Sequence, residues 1–258
     1  MSALTIRNLD FAYGNRTVLK EVTCEALQAG QLTALIGPNA SGKSTLFRCI
    51  AGLLKVRAGT IAVGATDLST LSSKKRLERV CFMPQFFTAN AALSVFDVVM
   101  MAQKRLQGWR VSDNDVEAVA LALDAGGIGH LSEAYISELS GGQSQMVSVV
   151  QALVRQSDVY LFDEPTSALD LRHQLDVLGR IRKTVLERGA VGIVALHDLN
   201  LAARFADHLI LLRQGTILAQ GAPSEVLRSA AIAQTYDVDI DITEGPRQEL
   251  IVHAYAHA

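Results

Sequence analysis

The sequence predicts an α/β fold: a mostly parallel sheet flanked by helices, preceded by an antiparallel β region and interrupted by an inserted helical subdomain. Three observations predict it. Short, continuous, mostly apolar runs recur between helical segments, the pattern of strands buried on both faces. A glycine-rich loop, Gly37 to Ser44, joins one such run to a helix. Between 86 and 154 the apolar runs give way to helical periodicity.

The elements follow in chain order. Leu4-Thr5-Ile6-Arg7-Asn8-Leu9 alternates apolar and polar residues, so Leu4 to Gln28 is expected to form an antiparallel hairpin region. Leu32 to Ile36 is a short buried strand ending at Gly37, and Ser44 to Ile50 spaces its apolar residues as a helix does. Further buried strands are expected at Val80 to Met83, Val159 to Phe162, Val191 to Leu196 and Leu209 to Leu212. Ser94 to Lys104, Asp113 to Leu123 and Met146 to Val154 carry helical spacing, with Ser112-x-x-Asp115 as a capping box for the second. After Pro223, Ser224 to Leu227 reads as a short helix. Val238 to Ile242 alternates like an edge strand, and Gly245-Pro246 turns the chain back onto Leu250 to Val252. The whole reads as a single domain: 1–85 and 155–222 form the core with its antiparallel region, 86–154 the helical subdomain, and 223–258 a helix and β tail.

Bulk properties exclude several function classes. A chain of 258 residues with 49% apolar and 19% charged residues buries a large core. Its net charge of -2 provides no basic field for a phosphate backbone, so no nucleic-acid partner is expected. Cys24, Cys49 and Cys81 have neither disulfide-framework nor zinc spacing, which fits a reducing compartment. The opening MSALTIRNLD lacks the apolar core of an export signal. No apolar run reaches the ~20 residues of a membrane-spanning helix, so work at a membrane would need a separate spanning subunit.

The chemistry is concentrated at a few points. Gly37-Pro38-Asn39-Ala40-Ser41-Gly42-Lys43-Ser44 fits G-x-x-x-x-G-K-[ST], followed by Thr45, in the strand-to-helix setting the pattern requires. Its backbone N–H groups and the helix start suit phosphate oxygens. Lys43 is expected on the β and γ phosphates of a bound nucleotide, and the Ser44 hydroxyl on Mg²⁺. Ala40 stands where related loops often have glycine, and a negative φ is expected there to avoid strain.

Val159 to Phe162 ends in Asp163 and Glu164, at the carboxyl edge of a parallel sheet where ligands bind. Asp163 is expected to hold the metal and Glu164, pointing the other way, to act as general base on the attacking water. His197 follows another buried strand; alone it is as readily a packed rim residue, but beside Glu164 it would steady the water and the developing charge. Gln85, after the strand at Met83, offers a neutral contact to Mg²⁺ or the water, and Tyr13 an aromatic face for adenine. Ser140-Gly141-Gly142-Gln143 precedes a helical run and reads either as a helix cap or as a second anion site. Since one loop already cradles the phosphates within the chain, this second site would serve a neighbouring copy.

Taken in series, Gly37 to Ser44, Gln85, Leu139 to Gln143, Val159 to Glu164, Ser167 to Asp170 and His197 resemble the Walker A, Q-loop, signature, Walker B, D-loop and switch histidine of ABC transporter ATPase subunits. The resemblance implies a P-loop NTPase core and a head-to-tail homodimer, each ATP lying between Walker A of one copy and Ser140 to Gln143 of the other. Tyr13 matches the adenine-stacking aromatic, and Asp170 would lie at the dimer interface. It further implies two copies of a transmembrane permease, contacted through a groove near Phe86 to Lys104, and a periplasmic or surface substrate-binding protein. The chain itself would sit peripherally on the cytoplasmic face of the plasma membrane. His197-Asp198-Leu199-Asn200-Leu201-Ala202-Ala203 most resembles importers of iron-siderophore, haem or cobalamin type. Ser144, Met146 and Gln151 depart from the basic or polar residues many relatives carry. The alternatives are a soluble ABC-type ATPase, such as one for iron-sulfur assembly, and, last, a P-loop kinase or nucleotide sensor, which would leave Leu139 to Gln143 without a task.

Overall fold

A computed structural model describes residues 3–85, 92–104 and 110–256. The chain runs β1 (Leu4–Tyr13), β2 (Arg16–Leu27), β3 (Leu32–Ile36), α1 (Lys43–Ile50), β4 (Ala58–Val63), β5 (Thr66–Asp67), α2 (Ser73–Arg79) and β6 (Val80–Met83). It continues through α3 (Val95–Lys104), α4 (Asp113–Ala125), α5 (Gly141–Leu153), β7 (Val159–Asp163), α6 (Leu171–Arg188), β8 (Val191–Ala195), α7 (Leu199–Phe205) and β9 (His208–Arg213). β10 (Thr216–Gly221), α8 (Pro223–Leu227), α9 (Ala230–Tyr236), β11 (Asp239–Glu244) and β12 (Leu250–Tyr255) complete it.

Six strands form the central sheet in the order β10-β9-β3-β8-β7-β6, parallel from β9 to β6. Every residue of β3, β7 and β8 is buried, because helices and a second sheet cover the two faces. Alternation divides these strands between two cores. Ala34 and Ile36 face the side packed by α5, α6 and α7. Leu35, Leu161 and Ile193 join the core beneath α1 and the antiparallel sheet. Each such aliphatic side chain contributes about 1.5–3 kcal/mol on burial.

The antiparallel region is larger than a hairpin. β1 pairs with β2 and also with β4, giving a four-stranded sheet β2-β1-β4-β5. β4 was not legible as a strand because its first three residues, Ala58-Gly59-Thr60, are exposed and small. β10 also departs from expectation, closing the central sheet with an antiparallel edge.

Helices α3, α4 and α5 pack against one another, and α5 rests on β6 and α6. The Ser112 capping box of α4 forms as expected. Asp115 accepts from the Ser112 N–H at 2.8 Å and from Lys104 Nζ at 2.9 Å. Those donors hold the Asp115 carboxyl down to about 2, from an ordinary 3.8. A depressed folded-state value contributes stability that is complete above the ordinary value and lost as pH falls through the folded one. Acid titration is therefore expected to loosen α4 between about pH 4 and pH 2. In Asp115→Asn that pH-dependent component should vanish from a circular-dichroism melt series.

The tail follows the expected helix, strand and return strand, with β11 and β12 paired in register from Asp239↔Tyr255 to Glu244↔Leu250. Among the described residues no helix is long and apolar enough to cross a membrane.

Candidate active site

The phosphate loop leaves β3 at Ile36 and enters α1 at Lys43. Gly37 is required by crowding as well as conformation. Its φ is +148°, and a Cβ there would lie 2.0 Å from the Leu212 carbonyl oxygen. The Ser41 N–H donates to Pro38 O at 3.3 Å, closing a turn in which Ala40 holds the third place. Ala40 has φ +61°, not the negative value expected from the sequence. The third place of a type II turn needs a positive φ, and the loop imposes it on an alanine at a cost of roughly 1–2 kcal/mol. Asn39 and Gly42 complete the curve, and the Gly215 N–H fastens it from outside by donating to Ser41 O at 2.9 Å.

Lys43 is 5% exposed, and its ammonium donates to the Gly37 and Pro38 carbonyls at 2.7 and 3.0 Å. Burial pulls its pKa down, while the Glu164 and Asp163 carboxylates pull the other way. Asp163 ends β7 at 2% exposure. Burial pushes its carboxyl up, and the Ser44 hydroxyl, bonded to it, acts against that. The Asp163 Oδ1 has no hydrogen-bond partner. A buried, unpartnered carboxylate oxygen beside a serine hydroxyl is a donor set that suits a hard cation such as Mg²⁺.

Glu164 breaks from the strand at φ +54°. Gln85 Nε2 donates to Glu164 Oε2 at 2.5 Å, and His197 Nε2 lies 2.5 Å from Oε1. Gln85 thus engages the expected base directly. Gln145 was missed by the sequence reading. It is buried on α5, and its Nε2 donates to Glu164 O at 3.1 Å, tying the helix after the signature to the base. A glutamine directly before the apolar run from Met146 was the available signal. Gln85, Glu164 and His197 share a cavity of about 700 Å³ with the phosphate loop, Thr45, Tyr13 and Arg16, within the range of small-molecule sites. Tyr13 stands at its rim, 45% exposed, with Phe11 edge-on at 4.8 Å.

Ser140 to Gln143 lies elsewhere. It is the first turn of α5, so the helix begins at Gly141 rather than near Met146. Ser140 Oγ accepts from the Gln143 N–H at 3.3 Å, and Gln143 Oε1 from the Ser140 N–H at 2.9 Å. The cap is therefore real, and exposed Gly141 would meet nothing with a Cβ. Ser140, Gly142 and Gln143 open onto a second cavity of about 760 Å³, shared with Asp170 and His173 and with no residue of the first. Asp170 caps α6, accepting from the His173 N–H at 3.0 Å, and His173 holds its carboxyl below the usual range.

A phosphate cradle at a helix start, facing a carboxylate braced by a glutamine and a histidine, defines a nucleoside triphosphatase. The ABC transporter family model matches residues 19–167. The ferric enterobactin transport ATP-binding protein of Escherichia coli K12 is 36% identical over 92% of this chain and 88% of its own. The achromobactin transport ATP-binding protein of Dickeya dadantii is 35% identical over 95% and 92%. Among solved structures, a dimeric post-hydrolysis ATP-binding cassette with ADP and phosphate superposes with TM-score 0.78 at 24% identity, over 85% of this chain and 98% of its own, a likeness of fold. The chain belongs to the ABC transporter family, and it is an ATP-binding, ATP-hydrolysing subunit.

Proposed function

We propose that the chain drives uptake of a metal chelate, of iron-siderophore, haem or cobalamin type, as one half of a head-to-tail homodimer bound to two copies of a transmembrane permease. The observation that carries the dimer is the division of labour within one chain: the phosphate loop and the Ser140 to Gln143 turn open onto separate cavities. A partner's turn would complete the first cavity, with Ser140, Gly141, Gly142 and Gln143 on the γ-phosphate and Asp170 at the junction. The names of the relatives, which concern achromobactin, ferric enterobactin and hemin, support the cargo class and count against a soluble iron-sulfur assembly role.

In this reading Gly37 to Thr45 bind the triphosphate, Lys43 neutralises its outer oxygens and Tyr13 stacks on adenine. Ser44, Asp163 and Gln85 would hold Mg²⁺, whose positive charge offsets that of the phosphates. Glu164 takes the proton of the attacking water, and His197 and Gln85 fix its carboxylate in place. The segments 1–85 with 155–222, 86–154 and 223–258 act as core, helical subdomain and tail. A cavity of about 440 Å³ between β6, α3 and α5, lined by Met83, Met101 and Arg155, is the proposed seat of the permease. Of the groove expected over 86–104, residues 86–91 lie outside the described residues. The periplasmic or surface receptor would act through the permease, with this chain peripheral on the cytoplasmic face. Affinity purification from native membranes tests this: a polytopic membrane protein recovered in one-to-one ratio supports it, and soluble scaffold subunits in its place contradict it.

A further inference from the structure

The tail reaches the nucleotide site from behind. Asn200, in the first turn of α7, holds β12 by its backbone: Nδ2 donates to Val252 O at 3.2 Å, and Oδ1 accepts from the Val252 N–H at 2.7 Å. α7 is itself capped by Asp198, whose carboxylate accepts from the Asn200 and Leu201 N–H groups at 2.7 and 3.0 Å. The residue before that cap is His197. The path from the hairpin to the histidine therefore crosses one side-chain clamp and one capped turn.

Tyr236, the last residue of α9, has its hydroxyl buried without a hydrogen-bond partner, and burial pushes its phenol up to about 12. His197, Asn200, Tyr236, Ile240 and Val252 line one cavity of about 310 Å³. The tail thus forms a wall opposite the histidine.

We propose that the C-terminal hairpin braces the catalytic edge, with Asn200 as the positioning residue for His197. This rests on His197 holding Glu164 as described above. An uncommitted His197 would leave Glu164 with Gln85 alone, slowing turnover without weakening ATP binding.

The test compares Asn200→Ala, Asn200→Asp and Tyr236→Phe in the full chain, measuring kcat and KM for Mg-ATP, the affinity for a fluorescent ATP analogue and Tm. Asn200→Ala is expected to lose roughly tenfold in kcat, inside the hundredfold that a small misplacement of a catalytic group causes, with affinity unchanged. Asn200→Asp keeps the acceptor for Val252 and should fall between. Tyr236→Phe removes an unpartnered hydroxyl from the same cavity and leaves the Asn200 clamp whole, so Tm should hold or rise and kcat should stay at the wild-type value. Wild-type kcat in a folded Asn200→Ala, or kcat and affinity lost together in proportion to the unfolded fraction, overturns the proposal. If Asn200→Ala does not fold, wild-type kcat in Asn200→Asp overturns it. Glu164→Gln separates the two readings: turnover surviving there sinks the site itself, whereas an inactive Glu164→Gln beside an unimpaired Asn200→Ala sinks only the brace.

Discussion

Glu164→Gln is expected to lower kcat by roughly a hundred- to ten-thousandfold, the usual contribution of a positioned general base. The substitution keeps the volume of the side chain and its ability to accept from Gln85 Nε2, so the cavity should survive. What disappears is the charge. A neutral amide cannot take the proton of the attacking water, and it no longer offers His197 Nε2 a carboxylate oxygen. ATP binding depends on the phosphate loop and should persist, leaving a chain that binds and does not turn over. Single-turnover ATP cleavage against nucleotide binding checks both halves. Cleavage at the wild-type rate would remove Glu164 from the mechanism and transfer the role of base to another group.

The second large effect is Lys43→Ala. Hydrogen bonds to charged groups contribute about 1.5–3 kcal/mol each, so loss of the ammonium should weaken ATP binding by roughly ten- to a hundred-and-fiftyfold. Two features of the site push toward the larger figure. Lys43 is buried, where charge interactions are poorly screened, and it is a counter-charge to both Asp163 and Glu164. Without it, a polyanion would enter a pocket already holding two carboxylates. Lys43→Arg is not expected to restore binding, since a planar guanidinium cannot thread a loop sized to a single ammonium. Titration with a fluorescent nucleotide measures it, and an unchanged affinity would contradict the loop's assigned role.

Much of this was legible in the sequence because physics leaves few ways to build the parts. Leu32–Ile36 and Val80–Met83 read as strands since burial on both faces demands unbroken apolar runs. The capping box at Ser112 and the return of the tail at Gly245 carried their own local chemistry. What escaped were elements whose reason lies in tertiary packing. β4 is half exposed and small, and β10 alternates weakly at an edge. α2, SKKRLER, buries no residue at all and stands on its Ser72 cap. At the site, the pairing of His197 with Glu164 was readable from the chemistry a base needs. The hydrogen bond from Gln85 to the same carboxylate was not, since a neutral glutamine after a strand reads as readily as a contact to metal or water. Ala40 was misjudged because local preference pointed to a negative φ, whereas the loop's curvature, set by Gly37 and the Ser41 hydrogen bond, required the reverse.

The account turns on ATP joining two copies of the chain. Light scattering of Glu164→Gln with Mg-ATP tests that most directly. The expected result is a species of twice the 27.8 kDa chain mass that reverts to single chains when ATP is replaced by ADP, and that fails to form when Ser140 is replaced by a bulky residue. A single-chain mass at saturating ATP, or a dimer indifferent to both nucleotide and Ser140, would contradict it.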